Sequence, residues 1–145
     1  MKPIDKQIWR LALAAVLIPL TLSCGKYAFV DCETYDFNDC IFDRPETGEL
    51  TVLVSQGEDG HGVPVIIWAG TWPSQDTVDT DTITSEEKTY FLPTDRTYSV
   101  TAYYIRDGKQ IIAVDGDDID ALSYDVCDEV CWDVKNARAD VRLKY

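Results

Sequence analysis

Four of the five cysteines in this 145-residue chain form two pairs that flank a run of β-like segments. Cys32 and Cys40 precede its first strand, and Cys127 and Cys131 precede its last. In an exported chain an even set of four reads as a disulfide framework, with three possible pairings. Cys127 and Cys131 lie in the stretch ALSYDVCDEVCW, which we read as an irregular or short helical insertion. Positions four apart share a helix face, so both thiols would meet Cys32 and Cys40 more naturally than each other. Such cross-pairing closes loops of roughly a hundred residues. The chain-entropy treatment credits these with about 4.7 kcal/mol, against under about 3 kcal/mol for a nine-residue loop. Local pairing stays open. So does a four-thiolate zinc site, although C-x7-C and C-x3-C do not match the usual C-x2-C knuckles.

Whether these thiols oxidise depends on compartment, and the N-terminus speaks to that. Met1 to Arg10 is basic, and Leu11 to Leu22 is apolar except for Thr21. Such a run is too short to span a bilayer, which takes about 20 helical residues. Basic flank, short apolar run and small residue mark a secretory signal. The junction Leu20-Thr21-Leu22-Ser23-Cys24 resembles the lipobox of bacterial lipoproteins, in which a small residue precedes a lipidated cysteine. It departs from that pattern at Thr21, where leucine is usual. The resemblance implies a diacylglycerol thioether on Cys24, cleavage before it, and acylation of the new N-terminus. Two or three acyl chains anchor stably where one does not. Gly25, in place of an aspartate, points to the outer membrane of a Gram-negative bacterium, facing periplasm or cell surface. The alternative is an ordinary signal peptide. The expected organisation is a signal peptide at 1–23, a lipid-anchored tether and disulfide-containing lead-in at 24–47, and one domain at 48–145 with a cysteine-bearing insertion at 116–136.

At 46% hydrophobic and 27% charged the composition is that of a folded chain. The formal net charge is −13, and the leader contributes +2 through Lys2, Lys6 and Arg10 against Asp5, so the mature part stands at −15. A surface this acidic repels phosphate backbones, which argues against nucleic-acid binding. The acidity reads as solubility or, more sharply, as cation binding or a basic partner.

Short strands follow one another from Gly48. Glu49 to Ser55 alternates Leu50, Val52 and Val54 against Thr51 and Ser55, with Leu53 breaking the polar face. Val63 to Ala69 is apolar and β-branched, with Pro64 placing its start at an edge or bulge. Thr77 to Thr84 is Thr- and Asp-rich, which suits an exposed edge strand. Lys88 to Leu92 and Thr97 to Ile105 are two more strands. Asp107-Gly108 is a hairpin turn leading into Gln110 to Val114. From Ala137 to Tyr145, Ala137, Ala139, Val141, Leu143 and Tyr145 face one way and charged residues the other, which closes the domain. About seven strands at this spacing predict an all-β fold, a seven-stranded antiparallel Greek-key β-sandwich.

The order of features resembles the transthyretin-like, or carboxypeptidase-regulatory-like, sandwiches and the related Cna-B domains. The resemblance rests on Gly48-Glu49-Leu50-Thr51-Val52, on Val63-Pro64-Val65 running to Gly70, on Thr89-Tyr90-Phe91-Leu92-Pro93 and on Tyr98-Ser99-Val100-Thr101-Ala102. It implies a stalk, spacer or accessory module. The first strand has no lysine, so the isopeptide bond of many Cna-B domains is not carried over.

The candidate chemistry is sparse. The single histidine, His61, sits in a Gly- and acid-rich loop and reads as solvated. Asp115, Asp117, Asp118 and Asp120 place oxygen ligands as calcium loops do, without the glycine and glutamate of an EF-hand. Asp76, Asp79 and Asp81 form a second acidic cluster. Of the aromatics Trp68, Trp72, Trp132, Tyr103 and Tyr104, Trp72 in its Pro-flanked loop is the candidate for an exposed ligand contact. Three functions follow as expectations. The first is a non-enzymatic structural or accessory lipoprotein that contacts envelope proteins. The second is a glycan- or ligand-binding surface lipoprotein. The third is a calcium-stabilised adhesin-like module. An enzyme is not expected.

Overall fold

Alternation along the chain resolves into two sheets whose apolar faces meet. The computed structural model describes residues 31–56, 60–74 and 76–144, and Cys24 with the leader lies outside the described residues. Eight strands form among the described residues: β1 (Thr47–Leu53), β2 (Val63–Ala69), β3 (Thr77–Ile83), β4 (Glu87–Pro93), β5 (Arg96–Arg106), β6 (Lys109–Val126), β7 (Glu129–Lys135) and β8 (Ala137–Asp140). They assemble as β4-β1-β8 and β3-β2-β5-β6-β7. The result is an all-β, two-sheet sandwich. Its core draws Leu50 and Val52 from β1, Val65 and Ile67 from β2, Val100 from β5, Ile119 from β6 and Ala139 from β8. Each valine, leucine or isoleucine among them contributes about 1.5–3 kcal/mol on burial.

The ladders are antiparallel except one. β1 and β8 run parallel, with Leu50 opposite Ala137 and Leu53 opposite Asp140, which corrects the expectation of a wholly antiparallel sandwich. The reason is topological: β7 and β8 meet at Asn136, and the chain enters β8 from the far sheet, alongside β1. β3 lies at an edge, as its polar composition predicts. Pro64 precedes the pairing of β2 with β5, which starts at Val65. Asp107 and Gly108 both adopt positive φ (50° and 71°), the two-residue hairpin turn expected of that dipeptide.

The insertion at 116–136 is not irregular or helical. β6 continues past its β5 partner, from Asp120 to Val126, and pairs with β7. Cys127 and Asp128 form the connecting turn with φ of 52° and 68°. Cys-Asp carries no glycine or asparagine signal for a turn of this hand. The pairing across β6–β7 and the disulfide at the turn over-determine a conformation that costs a non-glycine residue about 1–2 kcal/mol.

The disulfides are cross-paired, Cys32–Cys127 and Cys40–Cys131. They hold the lead-in along β7, where the Trp132 N–H donates to the Ile41 carbonyl at 2.8 Å and occupies part of that sheet edge. Each bond alone closes a loop of more than 90 residues, with separations of 95 and 91. With either in place, the other closes a ring of only about twelve residues, so the chain-entropy treatment credits the second with about 3 kcal/mol.

The open edges between the sheets are joined by polar bonds. On one side Asp81 of β3 accepts the Tyr90 hydroxyl of β4 at 2.7 Å and pairs with Lys88. The Tyr98 hydroxyl donates to the Pro93 carbonyl, and the Tyr104 hydroxyl to the Val141 carbonyl, both at 2.9 Å. Among the described residues no buried side-chain nitrogen or oxygen lacks a partner. Lys88 first, then the Tyr90 hydroxyl and the Thr82 amide, hold the Asp81 carboxyl down at about 2.

Two outcomes are expected. Removing either disulfide by paired Cys→Ser substitution costs about 3 kcal/mol in urea unfolding, and removing both costs about 7–8 kcal/mol, more than the sum. The depressed Asp81 carboxyl contributes stability that is complete above the ordinary carboxylate range and is lost as pH falls toward about 2. Urea midpoints should therefore fall less steeply with acid for Asp81→Asn than for wild type.

Candidate functional site

β6 alternates along Asp115, Asp117 and Ile119 on the core side and Val114, Gly116 and Asp118 on the outer side, as a strand must. The register confirms this: Val100 and Tyr98 of the core face lie opposite Asp115 and Asp117, and Ser99 lies opposite Gly116. The calcium-like spacing is therefore the period of a strand, and the four aspartates do not form a loop. Their oxygens are engaged with the protein. Asp115 Oδ2 accepts the Asp140 N–H at 2.7 Å, and Asp117 Oδ2 accepts the Arg138 N–H at 3.2 Å. These amides belong to β8, an outer strand of the other sheet, so the two carboxylates join β6 to β8 without a backbone ladder. The Lys135 ammonium lies 3.5 Å from Asp117, 3.9 Å from Asp118 and 3.5 Å from Asp120. The Asp118 N–H foremost, together with the Arg138 N–H and Lys135, lowers the Asp117 carboxyl below its ordinary value. Among the described residues no three His, Cys, Asp or Glu side chains are grouped to hold a metal ion.

The outer side of the same strand lines a cleft of about 350 Å³, and here the sequence candidates converge. It is lined by Thr71 and Trp72 from the loop after β2, by Thr97 and Ser99 of β5, and by Val114, Asp115, Gly116, Asp117 and Asp118 of β6. Trp72 is 44% exposed. Its loop is mounted on Ser99: the Trp72 N–H donates to Ser99 Oγ at 2.9 Å, and the Ser99 hydroxyl donates to the Gly70 carbonyl at 2.6 Å. The Gly70 N–H in turn donates to the Thr97 carbonyl at 2.8 Å. Gly116 keeps the floor bare, since a Cβ there would come within 2.5 Å of the Tyr98 carbonyl oxygen. The Thr97 hydroxyl donates to Asp118 at 2.6 Å, fixing that carboxylate.

The remaining candidates disperse. Tyr104 is buried; Trp68 is half-buried with its indole N–H on the Thr101 hydroxyl at 3.1 Å. Trp132 lies under the Arg44 guanidinium, 5.5 Å from the ring centre. Tyr103 is half-buried on the outer face. Of the second acidic cluster, Asp81 holds the β3–β4 edge, Asp79 accepts the Thr80 N–H, and Asp76 is exposed beside the Trp72 loop. His61 is exposed on a small recess that also includes Ser85, whose hydroxyl donates to the Glu87 carbonyl at 2.6 Å. A larger recess, of about 550 Å³, is lined by Ser55, Gln56, Glu86, Glu87 and Arg142, and the Arg142 guanidinium is paired there with Asp140. Sequence reasoning missed Ser99, Thr97 and Gly116 as parts of a site. Only the β5–β6 register, which sets Ser99 against Gly116, carries that signal.

No protein family, no curated protein and no solved structure matches this chain.

Loss of the β8 caps is measurable. Asp115→Ala should cost about 1–2 kcal/mol in chemical unfolding, and Asp117→Ala less, because its bond is longer and more exposed. Asp115→Asn retains an acceptor oxygen and should recover most of the loss.

Proposed function

We propose that this protein is a lipid-anchored module of the outer-membrane envelope that acts through protein contacts and not by catalysis. The observation that carries the reading is the Cys32–Cys127 disulfide. Such bonds persist in oxidising compartments, which agrees with export behind the leader and with Cys24 as the lipidated residue. Cys32 follows Cys24 by eight positions, an extended length of at most about 28 Å. A lipid on Cys24 would keep the turn at Cys127 close to the bilayer and leave the Trp72 face free for a partner.

The non-enzymatic part rests on His61, which faces solvent while the neighbouring Ser85 hydroxyl is committed to a backbone carbonyl. The domain itself we assign to the transthyretin-like Greek-key sandwiches. Support comes from the strand orders β4-β1-β8 and β3-β2-β5-β6, which make a seven-strand set once β7 is counted as an addition. Glycan binding at Trp72 is the second reading, favoured by the exposure of that ring on a rigid mount.

Fractionation tests the anchor. Wild type should partition with membranes and incorporate labelled palmitate, whereas Cys24→Ala should appear in the soluble fraction without label. Equal membrane retention of the two would overturn it. Crosslinking in native envelopes should capture envelope proteins through the wild-type chain.

A further inference from the structure

The Ser99 and Thr97 hydroxyls in the Trp72 cleft are already committed. The Ser99 hydroxyl serves Gly70, the Trp72 N–H serves Ser99, and the Thr97 hydroxyl serves Asp118. Beside Thr71, what the cleft offers a ligand is the Trp72 side chain and the acidic run of β6, with the Asp118 side chain 49% exposed. A sugar brings donors and acceptors together and calls for both in return. An organic cation brings donors only, and is satisfied by a π face and a carboxylate. The surrounding charge points the same way. Lys135 is shared among Asp117, Asp118 and Asp120, one cation against three carboxylates. A net charge of −13 also disfavours a second copy of the chain or an anionic surface as occupant.

We propose that this cleft receives a lysine or arginine side chain of a partner protein, its cationic head between the Trp72 ring and the Asp118 carboxylate. The inference rests on the protein-contact reading above and names the chemistry of the contact. Ile112 and Val114, 48% and 42% exposed, extend an apolar strip along β6 from the cleft on the same outer face. The partner segment would therefore carry an apolar residue beside its basic one. The Trp72 backbone is already held by Ser99, which lowers the ordering cost of this contact.

The test uses the full chain, purified in detergent, at physiological salt. Its probes are a fluorescein-labelled oligo-arginine peptide, the oligo-glutamate counterpart and a labelled neutral oligosaccharide, with fluorescence anisotropy as the readout. Asp118→Asn retains the oxygen that accepts the Thr97 hydroxyl, and Trp72→Ala retains the N–H on Ser99, so both should unfold at urea midpoints near wild type. Asp107→Asn, at the far end of the β5–β6 pair, removes the same charge and serves as the control.

The expected result is oligo-arginine binding weakened roughly fivefold or more by Trp72→Ala and by Asp118→Asn, with Asp107→Asn unchanged. Equal weakening by Asp118→Asn and Asp107→Asn would reduce the effect to general charge and overturn the site. So would indifference to Trp72→Ala, or oligosaccharide binding that depends on Trp72 while oligo-arginine does not bind. If envelope crosslinking persists while the cleft fails, the protein-contact reading stands and this inference alone falls.

Discussion

Two aspartates on β6 hold the amides of a strand that belongs to the other sheet. Asp115 and Asp117 point from the five-stranded sheet and accept the N–H groups of Asp140 and Arg138 on β8. A strand at the end of a sheet presents backbone donors that must find a partner. β8 finds one in the carboxylates of β6. Across the molecule Asp81 does related work between β3 and β4, taking the Tyr90 hydroxyl and the Lys88 ammonium. Shorter versions recur where an aspartate accepts the next residue's N–H, at Thr80, Thr82, Asp118 and Val134. Part of the acidity that composition presents as a solubility feature is thus structural.

β6 is long enough, from Lys109 to Val126, to serve three neighbours in turn. It pairs with β5 up to Ile119, lends its carboxylates to β8, and then pairs with β7. The hairpin it forms with β7 carries both cysteines that capture the lead-in. Gly116, in the middle, is the one position where the strand must come close to the Tyr98 carbonyl, and the missing side chain becomes the floor of the Trp72 cleft. The same strand therefore bears the structural caps on its inner side and a recess on its outer side.

This arrangement separates two tasks along one strand. Under the proposed anchoring, the end of β6 at Cys127 is the membrane-proximal end, and the cleft lies further back, where β6 parts from β5. The lead-in is fixed at two points by the disulfides and runs beside β7. The backbone of Trp72 is held on the buried Ser99, whose hydroxyl in turn donates to the Gly70 carbonyl.

Local pattern was legible wherever it depends on a few adjacent residues. The alternation at Ala137, Ala139 and Val141, the apolar run of β2, the polar edge strand β3 and the Asp107-Gly108 turn are all readable because period and turn chemistry are properties of a few adjacent residues. Cross-pairing of the cysteines was legible as well, although by way of a helical turn that the structure replaces with a hairpin. Cys127 and Asp128 gave no turn signal because their positive φ is imposed by the strands and the disulfide around them. Asp115 and Asp117 looked like ion ligands because strand period and calcium-loop spacing coincide at alternate positions. Only the placement of β8 beside β6, across two sheets, decided that they bind amides. The sequence by itself determined the first five strands, much of the core-facing pattern and the supply of thiols and carboxylates, but not the β6–β7 hairpin. The tertiary structure decided what each polar group meets, because sheet register and the parallel docking of β8 on β1 join residues that local pattern cannot relate.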